Sequence, residues 1–526
     1  MTDIPPWLNV MRSALGIKEA PGDAADNPAI LAMRDEIKRI WGDVPGLKAY
    51  ADTYQHDATP WCGLAAGWAV SEAGYLPPYV EVGDDTDRWY WAQSWAHDDN
   101  YVPVSPRPGA ITVLTRSGGG HVSLYERSEG SNVILTGGNQ GDAVTTAAFP
   151  KSSVIGYFWP KDAPLPLLPP AERPELDQGD KGPDVVSVQE TLGLPPDACD
   201  GDFGAVTDGA VKGFQAAAGL AADGVVGPNT WAALDELDAR KAAGDDGLDP
   251  ELIGAIVDIA ENSAIAGYQW KDRGRAPLGY TCGLALCFAH AQILLAGGDE
   301  TVARMARADS NNPDKDALSW YRSKFQALGM DNSQDGLDTL RHLFTLMLGL
   351  GMRESSGRYC EGRDMSASNT SADTAEASLF QTSWNIRSCD AAIPPLLPQY
   401  WSNPCGFLEA FWRGVNPDSN DLGNFGSGDG AKYQFLSKFA PAFHAYVTAL
   451  GMRSLRQHWG PINRNEVELK PEADDMLWQV QEMVASGVTP EPEPEPEPTP
   501  PAELPTITVS INPPGSAQIV IIGSAQ

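Results

Sequence analysis

The hydrophobic and polar positions change their period along the chain, and each period predicts a different kind of element. A largely apolar stretch, WCGLAAGWAVSEAG, follows Thr59 and Pro60 and predicts a helix that Thr59 caps, that begins at Pro60 and that ends at Gly74. Short apolar runs bounded by glycine predict strands at 108–114, 118–125 and 133–140. The first part of the chain therefore combines helices with strands.

Two further patterns predict helices alone. Residues 184–234 have apolar positions at helical spacing, interrupted by two Asp-Gly turns, which predicts a small three-helix bundle. Residues 337–352, LDTLRHLFTLMLGLGM, are apolar on nearly every face. This pattern predicts a buried helix inside a larger, mainly helical unit.

Stretches rich in proline, charge or small residues separate these segments. Residues 160–174 hold six prolines, residues 236–249 are short and charged, and TPEPEPEPEPTPPAELP is an extended spacer. The predicted fold class is therefore multidomain: an α+β first unit, a small three-helix module, a mainly α third unit, a Pro/Glu linker and a short β-hairpin-like tail. The corresponding segments are 1–160, 175–236, 250–487, 488–505 and 506–526.

Charge narrows the classes of function. The 526 residues include 70 acidic and 37 basic side chains, a formal charge of -33. Such a chain repels phosphate backbones and anionic lipid, which argues against a nucleic-acid-binding or membrane-surface protein. We expect no membrane insertion, because no run of about 18 apolar residues is uninterrupted. We also expect no signal peptide, because the first residues lack a basic region and a long apolar core.

Cys62 and His121 form the first candidate site. Cys62 is predicted in the first turn of its helix, where free N–H groups and the helix dipole lower the pKa of a thiol. His121 begins one predicted strand and Asn139 ends the next, so antiparallel pairing brings them together and lets Asn139 orient the imidazole. A cysteine at a helix N-terminus, a histidine on a strand and an orienting polar residue form a set of nucleophile, base and orienting group. The alternative is a buried cysteine with a structural histidine.

The same residues carry a family resemblance. The motifs WCGLAAGWAV, PRPGAITVL, GGGHVSLYE and GGNQGDAV resemble the CHAP/NlpC-like superfamily of papain-fold cysteine peptidases and amidases, over about residues 10–160. The resemblance implies a papain-like fold with Cys62 as nucleophile, His121 as general base and Asn139 as the orienting residue. It also implies cleavage of an amide in peptidoglycan, either in the stem peptide or between the lactyl group and alanine.

The middle segment contains two similar turns. DGDFG followed by Thr207 is echoed by DGVVG followed by Thr230. The residues alone are compatible with a three-helix bundle that has no ligand. The pattern resembles the short helical peptidoglycan-binding domain of many wall hydrolases, which implies targeting to the wall. We expect the glycan or peptide to lie near Phe203, Thr230 and Trp231.

Glu354 lies at the exit of the predicted buried helix. Partial desolvation at this position raises the pKa of a carboxyl group toward that of a general acid. The alternative is that Glu354 pairs with Arg353 or another base and caps the helix end. Aromatic residues downstream, Tyr400 among them, offer stacking surfaces for sugar rings.

The segment around Glu354 carries a third resemblance. ESSG after an apolar helix, followed by SLFQ, resembles goose-type lysozymes and soluble lytic transglycosylases over about residues 335–445. This implies a lysozyme-like fold in which Glu354 protonates the glycosidic oxygen and Gln381 contacts the substrate. A lytic transglycosylase needs no second carboxylate, because the sugar's own hydroxyl attacks. A hydrolase adds one, and the candidates are Asp364, Asp373 and Glu376.

The three resemblances converge on peptidoglycan as the partner, with a further protein partner expected for the tail. We predict a bifunctional wall hydrolase without metal or cofactor, because no HExxH or paired-cysteine site is present. The expected route is synthesis in the cytoplasm, followed by holin-type release, virion delivery or secretion. The rival is a non-catalytic wall-binding or phage-tail assembly protein that retains hydrolase folds. The seven cysteines leave disulfides and free thiols both open.

Overall fold

The computed structural model describes residues 4–22, 25–78, 91–116, 119–165, 168–244, 247–363 and 371–486. The predicted linker at 488–505 and tail at 506–526 lie outside these residues. All seven cysteines of the sequence fall within the described ranges, and Cys62, Cys282 and Cys360 are buried thiols.

The first unit combines helices with one antiparallel sheet, as predicted. Its described α-helices are α1 (Pro6–Ser13), α2 (Pro28–Ile40), α3 (Pro45–Thr53) and α4 (Cys62–Glu72). Its described strands are β1 (Tyr101–Pro103), β2 (Ile111–Arg116), β3 (Gly119–Glu129), β4 (Asn132–Gly137), β5 (Thr145–Pro150) and β6 (Val154–Pro160). They form a sheet in the order β1-β6-β2-β3-β4-β5, against which α1 and α4 pack.

β3 and β4 form the antiparallel pair that the sequence predicts. Leu124 of β3 lies opposite Thr136 of β4. Because the strands run in opposite directions, the start of β3 and the loop after β4 meet at the same end of the sheet. His121 and Asn139 are therefore brought to one place.

The helix that carries Cys62 begins later than the sequence indicates. Trp61 occupies the N-cap position without a side-chain bond to the helix, and Cys62 is the first helical residue. Thr59 and Pro60, expected to cap and begin the helix, lie in the segment before it. The predicted end is confirmed, because Gly74 follows the last turn with a φ of +85°.

The middle unit has the predicted helices, α5 (Pro183–Thr191), α6 (Ala205–Ala218) and α7 (Pro228–Ala243). α7 runs through most of the joint that was predicted at 236–249. Leu237 is buried in the core, and the guanidinium of Arg240 lies 4.6 Å from the ring centre of Trp401. These contacts give residues 236–243 a helical structure where the composition indicated a linker.

The third unit is mainly helical, as predicted. Its described helices are α8 (Pro250–Asn262), α9 (Leu278–Ala296), α10 (Glu300–Met305), α11 (Ala317–Trp320), α12 (Arg322–Ala327), α13 (Leu337–Ser355), α14 (Ile393–Ser402), α15 (Leu408–Phe411), α16 (Asp429–Phe439), α17 (Pro441–Ser454), α18 (Gly460–Asn463) and α19 (Pro471–Ser486). The apolar stretch at 337–352 forms most of α13, which is buried there as expected and continues through Glu354.

The hydrophobic core of the third unit is continuous with that of the middle unit. One cluster of buried side chains extends from Leu176 to Val480, whereas the first unit has a core of its own. Among the described helices, α9 alone is long and apolar enough to cross a membrane, and 72% of its apolar window is buried inside the fold. It packs against α8, α13 and α19, which is the position of a core helix.

Candidate active sites

Cys62 lies where the N-terminus of α4 meets β3. The residue is 4% exposed, and the backbone amide of Val122, next to His121, donates to its sulfur. The close approach depends on Gly138 after β4, because a Cβ atom there would lie 2.6 Å from the ring of Trp61. The fold therefore brings the thiol and the histidine strand together.

The thiol of Cys62 is not activated in the resting protein. Burial raises its pKa, and the backbone amides of Val122, Gly63 and Cys62 itself offset only part of that rise. The sequence predicted a lowered pKa, but desolvation of the thiolate outweighs the helix N-terminus. Cys62 therefore needs a base before it can act as a nucleophile.

His121 is held in one tautomer by two side chains. Its Nε2 lies 2.8 Å from Oγ of Ser123 and 3.2 Å from Oε1 of Gln140. The side-chain nitrogen of Gln140 donates to the carbonyl of Thr145, so the oxygen faces the imidazole. That oxygen only accepts, so Nε2 carries the proton and Nδ1 has a free lone pair. Among the described residues, the buried Nδ1 has no hydrogen-bond partner.

The imidazole of His121 is neutral at physiological pH. Burial lowers its pKa to about 4, and the hydrogen bond to Gln140 opposes this only in part. The positive charge of Arg116 contributes in the same direction as burial. The unprotonated form is the one that accepts a proton from a thiol.

Gln140 makes the contact that the sequence predicted for Asn139. Asn139 has a φ of +56°, a left-handed conformation that asparagine adopts more readily than most residues, and it turns the chain after β4. The turn leaves Asn139 half-exposed and places Gln140 inside, against the imidazole. The motif GGNQ contained the correct residue one position further on.

An open cavity of about 370 Å³ lies beside the imidazole. His121, Asn139 and Arg116 line it. Asn139 therefore lines this cavity, while Gln140 makes the hydrogen bond to the imidazole.

Glu354 lies in the last turn of α13 and is half-buried. Burial of the carboxyl group raises its pKa to about 7, and the negative charge of Glu376 adds to the rise. The positive charges of Arg273 and Arg464 lower the pKa of Glu354 and offset part of the rise. Near neutral pH a large fraction of the group is protonated, as a general acid requires.

Arg353 is not the partner of Glu354. Its guanidinium donates to the carbonyl of Lys271 at 3.0 Å. The end of α13 is formed by Ser356, which has a left-handed φ of +56°. The capping role that the sequence left open for Glu354 is therefore filled by the backbone at Ser356.

A tight turn closed by a bridge between Ala377 and Thr382 is fixed against the end of α13; we call it the 377–382 hairpin. Oγ of Ser355, next to Glu354, donates to the carbonyl of Leu379 at 2.8 Å. Gln381 lies in this hairpin and is half-exposed, and its Nε2 donates to the carbonyl of Ser378 at 3.0 Å and to that of Gly362 at 3.3 Å. Gln381 therefore lies in a hairpin that is bound to the residue after Glu354, and its predicted contact with substrate stays a prediction.

Side chains distant in sequence hold the 377–382 hairpin. The hydroxyl of Thr382 bonds to the hydroxyl of Tyr433 and lies 2.6 Å from Nε2 of His444. Trp459 donates Nε1 to the hairpin backbone at 2.9 Å, and His458 donates Nε2 at 3.3 Å. Sequence reasoning missed these four residues, because no local pattern marks contacts between α16, α17 and the segment after them.

Of the three candidate second carboxylates, Glu376 acts electrostatically on Glu354, since its charge raises the pKa of that group. Asp373 forms an ion pair with Arg387 at 2.8 Å. Asp364 lies outside the described residues. Among the described candidates, Glu376 is therefore the one whose charge acts on Glu354.

Tyr400 belongs to a different part of the third unit. It is buried, its ring lies 5.4 Å from that of Phe443, and it lines a cavity together with His290 and Tyr446. The sequence predicted that Tyr400 stacks on a sugar ring. In the structure its ring instead packs between α14 and α17.

Each Asp-Gly turn of the middle unit is held by a glutamine of the preceding helix. Nε2 of Gln189 donates to the carboxylate of Asp200 and to the hydroxyl of Thr207, both at 3.0 Å, and its Oε1 accepts the amide of Gly201. The second repeat has the same bonds between Gln215 and Asp223, Thr230 and Gly224. The repeat in the sequence is therefore a structural repeat.

The residues expected to contact the wall in this unit are core residues. Phe203 is fully buried, Trp231 donates Nε1 to the carbonyl of Pro174 at 2.8 Å, and the hydroxyl of Thr230 is bound by Gln215. A unit this small needs its aromatic side chains to fill its core. A bound polymer would meet other, exposed side chains.

Residues 181–234 match the family model of the putative peptidoglycan binding domain. The middle unit is a peptidoglycan-binding domain. A 67-residue stretch, 12% of the chain, is also 46% identical to the "Uncharacterized protein in bpoA1 3'region" of Kitasatospora aureofaciens. The chain spans about half the length of that relative, 56%.

Among solved structures, the crystal structure of Burkholderia AP3 phage endolysin is similar at 17% identity, over 60% of this chain and all of that one. The TM-score is 0.11, which is far below that of chains with a common overall arrangement. The association of this protein with peptidoglycan therefore rests on the peptidoglycan-binding domain.

Proposed function

We propose that the protein is a bifunctional peptidoglycan hydrolase. Its Glu354 centre cleaves the glycan strand, and its Cys62 centre cleaves an amide bond. The peptidoglycan-binding domain supports the substrate class. The observation that carries the proposal is the half-buried Glu354, whose pKa of about 7 suits proton donation at neutral pH.

At the first of these centres, Glu354 donates its proton to the glycosidic oxygen as the bond to the anomeric carbon breaks. The carboxylate that forms is stabilised by the positive charges of Arg273 and Arg464. In a hydrolase, Glu376 activates the attacking water. In a lytic transglycosylase, a hydroxyl of the sugar attacks instead and Glu376 acts only through its charge.

At the second centre, Nδ1 of His121 takes the proton of Cys62 while the sulfur attacks the carbonyl carbon of the amide. Gln140 and Ser123 keep the proton on Nε2, so that Nδ1 is free to accept. The amide of Val122 stabilises the thiolate as it forms. The imidazolium then protonates the leaving amine, and water releases the acyl group. The bond lies in the stem peptide or between the lactyl group and alanine.

Mass spectrometry of the fragments released from purified sacculi tests both centres. Cys62→Ser should stop the release of new amino groups and leave glycan cleavage intact, and Glu354→Gln should do the reverse. Cys199→Ser and Glu482→Gln are matched controls, because Cys199 lies in the middle unit and Glu482 is exposed on α19. Anhydro-muropeptides would identify a lytic transglycosylase, and reducing ends a lysozyme.

The second candidate function, a non-catalytic wall-binding or assembly protein, predicts a different result. Wild-type protein would sediment with sacculi and release no fragments. The neutral imidazole of His121, on the strand whose Val122 amide donates to the buried Cys62, and the raised pKa of Glu354 favour catalysis over this alternative.

A further inference from the structure

The peptidoglycan-binding domain is packed on the third unit through α6. The rings of Phe214 in α6 and Phe435 in α16 lie 5.7 Å apart, within the shared core. The side-chain nitrogen of Asn424 donates to the carbonyl of Gly213 at 2.9 Å. A Cβ atom at Gly213 would overlap with the carbonyl of Leu422, so the backbones touch directly. This is the contact of a fixed lobe, unlike that of a module on a flexible tether.

The part of the third unit that α6 touches, residues 419–424, is itself fixed by buried charges. Nζ of Lys438 donates to the carbonyl of Asp421 at 2.9 Å and to that of Gly423 at 3.0 Å. The carboxylate of Asp421 forms an ion pair with Arg358. Lys438 and Asp421 are each 5% exposed, so neither charge has water as an alternative partner.

The 419–424 segment also supports the backbone on which the Glu354 centre rests. A Cβ atom at Gly362 would lie 2.5 Å from the carbonyl oxygen of Asn420, so these two backbones are in contact. The carbonyl of Gly362 accepts the hydrogen bond from Gln381, and the neighbouring carbonyl of Glu361 accepts the amide of Ser378 at 2.7 Å. An unbroken series of contacts thus connects α6 with the 377–382 hairpin.

We propose that the peptidoglycan-binding domain is a positioning element of the Glu354 centre, which holds the 377–382 hairpin in place through the 419–424 segment. This inference rests on the proposed glycan cleavage and adds a second role to the domain. A domain that only captures the wall would raise the local substrate concentration and leave turnover of soluble fragments unchanged. A positioning domain is required for turnover of any substrate, bound to the wall or not.

The test compares Gly213→Ala with Gly254→Ala in the full-length protein. Both changes add one methyl group to a helical glycine, but the methyl group at Gly254 of α8 meets nothing within 4 Å. On soluble glycan fragments we expect Gly213→Ala to lower kcat by about tenfold to a hundredfold, because displacements of about 1 Å have such effects. Gly254→Ala should behave like wild type, and both variants should still sediment with sacculi.

A second readout is independent of activity. The amide of Ala377 donates to the carbonyl of Thr382 and closes the hairpin, so its hydrogen exchange should be faster in Gly213→Ala than in Gly254→Ala. Wild-type turnover together with wild-type exchange in Gly213→Ala would overturn the inference. If wild-type protein cleaves no glycan, the proposed function fails, and the exchange comparison still tests the coupling.

A milder variant covers the case in which Gly213→Ala does not fold. Asn424→Ala removes the hydrogen bond to Gly213 without adding atoms at the interface. It should also lower kcat on soluble fragments and speed the exchange of the Ala377 amide. Unchanged values of both quantities would again contradict the positioning role.

Discussion

At the scale of single residues, the Cys62 centre depends on which side chain fixes the histidine. Gln140 is a suitable orienting group because its own nitrogen is bound by the backbone of Thr145, which fixes its oxygen toward His121. A neutral amide oxygen stabilises the imidazolium less than a carboxylate would. The low pKa of His121, about 4, agrees with a base that stays neutral until the thiol gives up its proton.

Gln140→Ala should lower amide cleavage by about a hundredfold, because the imidazole loses its fixed tautomer and orientation. The matched control is Asn139→Gly, since glycine keeps the left-handed turn at this position while the side chain is removed. Release of amino groups from sacculi measures both variants. A loss of activity in Asn139→Gly with none in Gln140→Ala would mean that Asn139, and not Gln140, orients the imidazole of His121.

The rate of glycan cleavage should fall as pH rises through about 7, by about tenfold per pH unit beyond it. The reason is that Glu354, whose pKa is raised to about 7 chiefly by burial, must be protonated to act as an acid. Initial rates on soluble glycan between pH 5 and 9 check this. A rate that is constant from pH 6 to 8 would assign the proton donor to another residue.

The raised pKa of Glu354 also affects how the stability of the folded protein depends on pH. A carboxyl group whose pKa is higher in the folded than in the unfolded state favours folding at low pH and opposes it at high pH. Glu354→Gln should therefore unfold at the same denaturant concentration as wild type near pH 4 and be more stable near pH 8, by about 3 kcal/mol. Urea unfolding at the two pH values measures the difference, and equal stabilities at pH 8 would contradict the raised pKa.

At the scale of elements, the Glu354 centre is a junction between a helix end and a hairpin. α13 brings the acid out of the core, and Ser355 ties this helix to the hairpin through Leu379. The opposite side of the hairpin is held by Thr382 and its bond to His444 of α17. These two attachments, with the other bonds to the hairpin, fix the position of Gln381 relative to the acid.

Ser355→Ala should destabilise the protein by about 1–2 kcal/mol and reduce glycan cleavage, because the buried carbonyl of Leu379 loses its donor. Ser486→Ala is the control, since that exposed hydroxyl bonds to the carbonyl of Met483 at the end of α19. Its effect should be below about 0.5 kcal/mol. Thermal unfolding and turnover on soluble fragments are measured for both variants. Equal effects of the two substitutions would mean that the bond from Ser355 to Leu379 does not stabilise the hairpin against α13.

At the scale of the whole molecule, the protein has a formal net charge of -33, although it is proposed to act on a cell wall. Walls that carry anionic polymers repel such a protein over roughly 30 Å at 0.01 M salt and over roughly 8 Å at 0.15 M. The capture of such sacculi should therefore increase as salt is raised over this range. Sacculi stripped of anionic polymers should show no increase, and weaker capture at higher salt would mean that attraction between charges drives binding.

The sequence predicted the elements better than the contacts between them. The buried helix with Glu354, the paired strands β3 and β4 and the two turns of the middle unit follow from local periods and turn residues. The choice between Asn139 and Gln140 depends on one backbone angle, and the raised pKa of Cys62 depends on how many atoms cover the thiol. The burial of Phe203 and Trp231 likewise appears only when the three helices close around them.

The packing of α6 on α16 also bears on how the chain is made. Phe214 and its neighbour Phe435 are separated by about 220 residues. At a synthesis rate of roughly 5–20 residues per second, roughly 10 to 45 s pass before α16 has been made and can cover the apolar face of α6. During that interval the nascent chain exposes a surface that chaperones bind and that promotes aggregation. We therefore expect expression at high ribosome density to increase misfolding of this protein.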